Sequence, residues 1–144
     1  MINDVLSNLT GLTIKDSSNI IIQGWHGSPP FNTGCLIHTD NVYSICSGLV
    51  IGIGEDDKNN LYSVTVEYNS QIWVRYCLLS SYNVKVGDNI VTTDKIGKPY
   101  KNTLRFEYCT SERSDFPIRI SNQQLYKHDP SPVVFGQAIL SEVW

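Results

Sequence analysis

The sequence has few of the features that would place the protein in a membrane or on nucleic acid. None of its apolar runs approaches the roughly 20 residues that a membrane-spanning helix needs. Charged residues make up only 17% of the 144 residues, the formal net charge is −3, and no basic cluster occurs. Nucleic-acid binding requires a basic surface. We therefore expect no membrane span and no nucleic-acid partner.

Signals for export and for oxidative folding are also missing. Residues 1–4 carry neither the basic nor the apolar stretch of a secretory signal, which predicts that the chain is made in a cytoplasm. The cysteines form no C-x-x-C pair and would stay reduced there. Free cysteine is among the residue types most often buried. We therefore interpret all four as small core residues: Cys35, Cys46, Cys77 and Cys109.

What is present fits one packed domain. The chain is 41% hydrophobic and long enough to bury a core without disulfides or metals. We divide this single domain into a helix and lead-in over residues 1–19, a core over residues 20–109 and a C-terminal tail over residues 110–144.

The first segment has apolar residues at helical spacing. Val5, Leu6, Leu9 and Leu12 predict a short amphipathic helix over residues 4–12. Such a helix either folds back on its own domain or docks on a neighbouring subunit. The docking hypothesis predicts that the β core stays folded when residues 1–13 are removed.

From residue 20 onwards the hydrophobic period drops to two, and turn residues arrive about every 8–12 positions. This pattern predicts an all-β domain built on an antiparallel sheet. The predicted strands include residues 20–22, 35–37, 42–45, 48–54, 62–68, 72–78, 118–120 and 133–135. Within residues 72–78, strict alternation places Leu78 on the same face as Tyr76.

Residues 72–107 carry the most specific pattern of the chain. At fixed spacing they contain Tyr76, Leu79, Ser80, Val84, Gly87, Asp88, Ile96 and Gly97. This spacing resembles Y-x-H-L-S-x-x-x-V-x-x-G-D-x-V followed by x-I-G, the core motif of the lysostaphin-like zinc peptidases (the LytM or M23 family). Residues 48–54 resemble the G-x-V-x-x-x-G turn of the same family. The resemblance implies an antiparallel β-sandwich of the LytM type.

The resemblance also says where zinc chemistry would sit. The family holds zinc with H-x-x-x-D and the second histidine of H-L-H, and it uses the first histidine of H-L-H and the one in Y-x-H-L for catalysis. In this sequence, the positions of H-x-x-x-D are occupied by Asn32 and Leu36. The two histidines of H-L-H are replaced by Thr103 and Arg105, and the histidine of Y-x-H-L is replaced by Leu78. Leucine has no donor atom and arginine has no lone pair to give. We therefore expect no catalytic residue, no metal and no other cofactor.

This alignment makes a geometric prediction. The substituted side chains should lie together, with Leu36 and Leu78 in contact and closing the vacated pocket. Arg105 should either reach solvent or pair with a carboxylate, with Glu107 and Glu67 as the candidates, because an unpaired buried charge is very costly.

A fold kept without its ligands implies function by contact. We expect a non-catalytic structural or binding module. Metal-free relatives of the family include amidase activators, parts of sporulation channels and phage tail or baseplate components. The compact chain, the missing signal and the N-terminal helix favour a phage tail-tip or baseplate component, located in the virion with phage tail proteins as partners. Its groove or interaction surface would use Trp25, Tyr76 and Trp144. One alternative is a regulatory pseudo-peptidase that activates a cell-wall hydrolase. A second is a zinc hydrolase with relocated ligands, drawn from the cysteines and from His26, His38 and His128.

Overall fold

A computed structural model describes residues 2–12, 21–56 and 58–134 of the chain. In chain order its elements are α1 (Ile2–Thr10), β1 (Ile21–Gln23), β2 (Cys35–His38), β3 (Val42–Tyr43), β4 (Gly48–Asp56), β5 (Leu61–Asn69), β6 (Ile72–Tyr82), β7 (Asn89–Ile90), β8 (Lys95–Pro99), a 3-10 turn (Tyr100–Asn102), β9 (Thr103–Thr110), β10 (Pro117–Ile120), β11 (Gln123–His128) and α2 (Ser131–Val134). Among these elements no helix is both long and apolar enough to cross a membrane.

Within the described residues, the strands form one antiparallel sheet. Its main path runs β1-β2-β9-β6-β5-β4-β7. Strand β8 continues along β6 beyond the start of β9, and β3 pairs with β8. Strand β11 lies beside the C-terminal half of β9 and forms a hairpin with β10. The predicted all-β antiparallel fold with a short N-terminal helix is confirmed.

One face of the sheet, the core face, is apolar because alternate residues of its central strands are apolar. Cross-strand pairs join Val64 to Tyr76 and Tyr76 to Phe106, and all three residues are fully buried. Helix α1 packs into the same core through Leu6 and Leu9, which are also fully buried. The helix therefore folds back on its own domain, as the first of the two hypotheses predicted.

The opposite face, called the site face below, is polar and charged at its centre. It carries Trp73, Arg75 and Cys77 of β6 together with Arg105, Glu107 and Cys109 of β9. Its charged centre makes it the face on which a functional site can form.

The β10–β11 hairpin covers one end of the site face. Leu125 of β11 packs there against Trp73 and Cys109 in a small apolar cluster. The turn of the hairpin reaches across to β4, where the Ser121 hydroxyl donates to the carbonyl oxygen of Ile51 at 3.1 Å. The loop that carries Asn32 and Thr33 covers another part of this face, where both residues accept hydrogen bonds from Arg105.

The predicted strand over residues 133–135 is wrong for its described part. Residues Ser131–Val134 form helix α2, and Val133 and Val134 are buried in the main core. Just before this helix, the Asp129 Oδ1 accepts hydrogen bonds from the Ser131 backbone N–H at 2.9 Å and from the Ser131 hydroxyl at 2.7 Å. Apolar residues in so short a run do not by themselves separate a strand from a buried helix. Residues 20 and 135 of the predicted strands lie outside the described part of the chain.

Candidate functional site

Two neighbouring strands, β2 and β9, place two of the predicted ligand positions side by side on the site face. Leu36 of β2 stands directly opposite Arg105 of β9, and Arg105 stands directly opposite Cys77 of β6. Strands β2 and β6 are therefore two strand spacings apart, about 10 Å, with the arginine between them. Direct contact between the Leu36 and Leu78 side chains stays a prediction.

The Arg105 guanidinium is held by hydrogen bonds on all three of its nitrogens. Nη1 donates to Asn32 Oδ1 at 2.8 Å, Nη2 to Thr33 Oγ1 at 3.1 Å, and Nε to Glu107 Oε2 at 2.9 Å. The backbone of residue 34 can lie close to this guanidinium because the residue is glycine, since a Cβ there would lie 3.2 Å from Arg105 Cζ. Two of the predicted positions, Asn32 and Arg105, thus bind each other directly.

Asn32 is fixed from the other side by its own loop. Its backbone N–H and carbonyl both pair with the backbone of His26, at 2.9 and 2.8 Å, and its Nδ2 donates to the Gly24 carbonyl oxygen at 2.6 Å. The residue is buried. These hydrogen bonds orient the Asn32 side chain so that its amide oxygen, Oδ1, faces Arg105.

Glu107 is the centre of the charged cluster, defined here as Glu107, Arg75, Arg105 and Lys127. Its side chain is only 3% exposed and forms ion pairs with Arg75, with Arg105 at 2.9 Å and with Lys127 at 3.0 Å. The Trp73 indole donates to Glu67 at 3.1 Å. Of the two carboxylates predicted to pair with Arg105, Glu107 is the one that does so.

The protonation state of Glu107 follows from its neighbours. Burial by itself would raise the pKa of this carboxyl group, but the charges of Arg75 and Lys127 and the hydrogen bonds from Lys127 and Arg105 outweigh burial and lower the pKa below its ordinary value. Glu107 is therefore ionised near neutral pH. Three cations on one carboxylate leave the cluster with a net charge of +2.

Leu78 lies on the site face, so the prediction that it shares the face of Tyr76 is wrong. Two residues of β6, Cys77 and Leu78, stand opposite the single residue Ser63 of β5, which makes a β-bulge. Leu78 accommodates the bulge with a left-handed backbone, φ 66°, and the fully buried side chain is that of Leu79. Leu78 and Cys77 line a cleft of about 320 Å³.

Thr103 begins β9 opposite His38. Its hydroxyl donates to the Lys101 carbonyl oxygen at 3.3 Å, within the preceding turn. Thr103 is two residues from Arg105 on the same strand, but its hydrogen bond belongs to the turn and not to the charged cluster.

The three residues predicted for a groove have different locations. Tyr76 is fully buried and its hydroxyl accepts the Ile45 backbone N–H at 3.0 Å, so it is a core residue and its assignment to a groove is wrong. Trp25 is half-buried and packs edge-on against Phe116, with ring centroids 5.2 Å apart. Trp144 lies outside the described residues.

The residues at the predicted ligand positions do not fit a zinc ion. Zinc needs three donors such as imidazole, carboxylate or thiolate, and these positions hold an amide, a leucine and a guanidinium that already donates to the amide. Elsewhere in the described ranges no group of three or more His, Cys, Asp or Glu residues could hold a metal ion.

Two members of the cluster, Arg75 and Lys127, were not predicted as site residues. Arg75 donates from Nε to Thr65 Oγ1 and from Nη2 to Ser63 Oγ, both at 3.3 Å. Alternation already placed Arg75 on the face of Cys77, so its position could have been anticipated. Lys127 reaches the cluster from β11, a strand that the hydrophobic pattern did not predict.

Comparisons with known proteins give fold similarity alone. No family model matches the sequence, and no curated protein matches it either. Among solved structures, the catalytic domain of the antimicrobial peptidase lysostaphin from Staphylococcus simulans matches with a TM-score of 0.61 at 21% identity, over 92% of this chain and 96% of that domain. The chain spans about half, 52%, of a longer lysostaphin structure.

Two further structures show where related folds occur. A catalytic-domain variant of the prophage-encoded M23 protein EnpA from Enterococcus faecalis matches with a TM-score of 0.55 at 15% identity, over 65% of this chain and 82% of that chain. A chain of the SpoIIQ–SpoIIIAH pore-forming complex matches with a TM-score of 0.51 at 21% identity, over 81% of this chain and 72% of that chain. The protein has the antiparallel β-fold of lysostaphin and other M23 peptidase domains.

Proposed function

We propose that the protein is a non-catalytic structural or binding module on a lysostaphin-type fold. One observation carries the proposal: Arg105 donates to Asn32 and to Glu107 at the positions where the resembled enzymes place zinc ligands. A protonated guanidinium repels a metal ion and has no lone pair for it. The cluster thus fills the former site with internal hydrogen bonds.

The acid–base properties of two buried side chains at the site, Glu107 and Cys77, also support a non-catalytic role. A general base works best with a pKa near the operating pH, and the pKa of Glu107 is lowered by its cationic neighbours. A thiol nucleophile must ionise, and burial raises the pKa of Cys77 to about 12. Both pKa shifts therefore support the non-catalytic proposal.

We propose further that the module works in a multiprotein assembly, namely a phage tail tip or baseplate. Two neighbours support this proposal: one is prophage-encoded and one is part of a pore-forming complex. Exposed apolar side chains on this chain also suit contact with partner proteins. They are Ile22, Phe31, Leu49, Tyr82, Val86, Val91 and Tyr100.

Catalysis is tested by measuring zinc content and peptidoglycan cleavage on the purified chain, with the lysostaphin catalytic domain as positive control. We expect no stoichiometric zinc and no cleavage. Zinc together with chelator-sensitive cleavage would instead establish a hydrolase with relocated ligands. Faster cleavage by a cell-wall hydrolase when the chain is added would establish the regulatory pseudo-peptidase.

Assembly is tested by the native mass of the chain in its source lysate and by its presence in purified particles. We expect it to migrate in a complex and to copurify with tail structures. A monomer that is absent from particles would refute the virion proposal while leaving the non-catalytic proposal intact.

A further inference from the structure

A small slot lies between the β10–β11 hairpin and the site face. Its volume is about 210 Å³. Strands β4, β5 and β6 form its floor, and the hairpin turn forms its roof. The polar side chains that line it are Arg75, Arg119, Ser63, Thr65 and Ser121. The lining thus contains two guanidinium groups and three hydroxyls, and it includes no carboxylate.

The charge around this slot is positive. Arg75 shares the single carboxylate of Glu107 with Arg105 and Lys127, so its charge is only partly compensated. The second arginine, Arg119, has no ion-pair partner among the described residues. A positive slot without a lining carboxylate favours an anion.

Arg119 keeps most of its hydrogen-bonding capacity. Its contacts are long: Nη1 lies 3.4 Å from the Asn122 carbonyl oxygen, and Nη2 lies 3.5 Å from Gln124 Oε1. Hydrogen bonds at this length are weak. A guanidinium in this state can turn toward a ligand at little cost, and its planar fork matches two oxygens of a phosphate or carboxylate.

A glycine on β4 keeps the floor of the slot accessible. A Cβ at position 54 would lie only 2.6 Å from the Ser63 hydroxyl oxygen. With glycine there, the hydroxyl is open both to the slot and to the neighbouring cleft, since Ser63 and Arg75 line both. Glu55 and Asp56 also line that cleft.

We propose that this slot binds a compact oxyanion, the phosphate or carboxylate group of a ligand whose uncharged or basic remainder extends into the cleft. Arg75 and Arg119 hold the oxyanion between them, and the Ser63 hydroxyl donates to it. The acidic residues of the cleft exclude a ligand that is anionic along its whole length. This site requires no catalysis, and its lining contains none of the positions that the resemblance assigns to zinc ligands.

The first test follows the arginine Nε–Hε signals of the ¹⁵N-labelled full chain by NMR at constant ionic strength. Inorganic phosphate and triglycine are the probes for the two oxyanions, and triglycine amide is the control that lacks the carboxylate. We expect saturable shifts of two arginine side chains with phosphate, triglycine or both, and none with the amide. Shifts that do not saturate with either anion, or that are equal with the amide, would overturn the proposal.

The second test uses Arg119→Gln, which leaves the buried cluster untouched because Arg119 is exposed. We expect it to weaken binding by about tenfold or more, the loss of one charge-assisted contact pair. Arg119→Lys keeps the charge but loses the planar guanidinium, so its binding affinity should lie between those of the wild type and Arg119→Gln. The matched control is Arg113→Gln, an exposed arginine that does not line the slot. Equal weakening by the two glutamine variants would show nonspecific attraction and refute the site.

Discussion

Leu36 and Arg105 are direct cross-strand partners on the site face of the sheet. Side chains paired in this way have Cβ atoms about 5 Å apart. Asn32 then completes the group by accepting a hydrogen bond from Arg105 at 2.8 Å. The three positions that the resemblance assigns to zinc ligands are thus neighbours in space, although their side chains cannot bind the metal.

This arrangement predicts that a zinc site can be restored. The triple variant Asn32→His, Leu36→Asp and Arg105→His should bind about one zinc ion per chain, since it supplies three donors on a rigid scaffold. Glu107 keeps Arg75 and Lys127 as partners when Arg105 is replaced. Elemental analysis after exhaustive dialysis measures the metal.

The matched control for this prediction is the same variant with Arg105→Gln in place of histidine. It removes the same guanidinium and leaves only two strong ligands, so it should hold little zinc. If the folded triple variant binds no more zinc than this control, the residue-by-residue alignment is wrong.

A second prediction concerns the buried carboxylate. Glu107→Gln should lower the free energy of unfolding by about 3 kcal/mol, because it leaves three cations without their shared anion. The cations are 16–24% exposed, so solvent relieves part of the cost of a fully buried pair. The matched control, Glu55→Gln at the exposed end of β4, should change stability by less than about 0.5 kcal/mol. Urea unfolding measures the free energy of unfolding of both variants. Equal changes in the two would show that the cluster does not stabilise the fold.

The third prediction is the pH dependence of that stability. Because the pKa of Glu107 is lowered in the folded state, its contribution is present above the unfolded pKa of about 4.3 and is lost as the pH falls through the folded value. The stability difference between wild type and Glu107→Gln should therefore shrink progressively below about pH 5. A difference that stays constant from pH 7 to acid unfolding would contradict the lowered pKa.

The sequence predicted well wherever strict alternation persists. Ile72, Val74 and Tyr76 share one face of β6, as a period of two requires, and all three are fully buried, although the sequence did not identify that face as the core and assigned Tyr76 to a groove. The pairing of Arg105 with Glu107 also followed, because an unpaired buried charge is too costly to persist. The first inference depends only on the local alternation of residues, and the second depends only on the cost of burying an unpaired charge.

The failures occur where the backbone departs from the regular pattern. A bulge moves Leu78 to the site face, and no residue type in that strand signals the extra residue. Strand β11 was missed because it alternates weakly, although Ser121 and Asn122, with φ of 50° and 66°, form the two-residue turn of a hairpin. Missing this strand also hid Lys127, whose place in the cluster depends on the pairing of β11 with β9.

A fourth prediction concerns the four cysteines. All are buried and free, and burial raises the pKa of Cys35 to about 11 and that of Cys46, Cys77 and Cys109 to about 12. Since the thiolate is the reactive form, a disulfide reagent such as DTNB should modify none of them in the native protein and all of them in guanidinium. Rapid modification of one thiol in the native state would show that its surroundings open.

The last prediction distinguishes the two roles considered for helix α1. If the helix were only a docking element, its apolar residues could be replaced without loss of the β core. Leu6 and Leu9 are instead fully buried in the main core. Leu6→Ala and Leu9→Ala should each lower the free energy of unfolding by about 2–5 kcal/mol, the usual cost of a truncated core leucine. Removal of residues 1–12 should then unfold the domain or leave it only marginally stable.

The control for the helix is Ile22→Ala on β1, an apolar side chain that is 56% exposed. It should change stability by no more than about 0.5 kcal/mol. Unfolding in urea followed by tryptophan fluorescence suits all these variants, because Trp73 is fully buried and reports on the sheet and not on the helix. If the chain without residues 1–12 unfolds at the wild-type urea midpoint, the helix contributes nothing to the core, and docking on a partner becomes its remaining role.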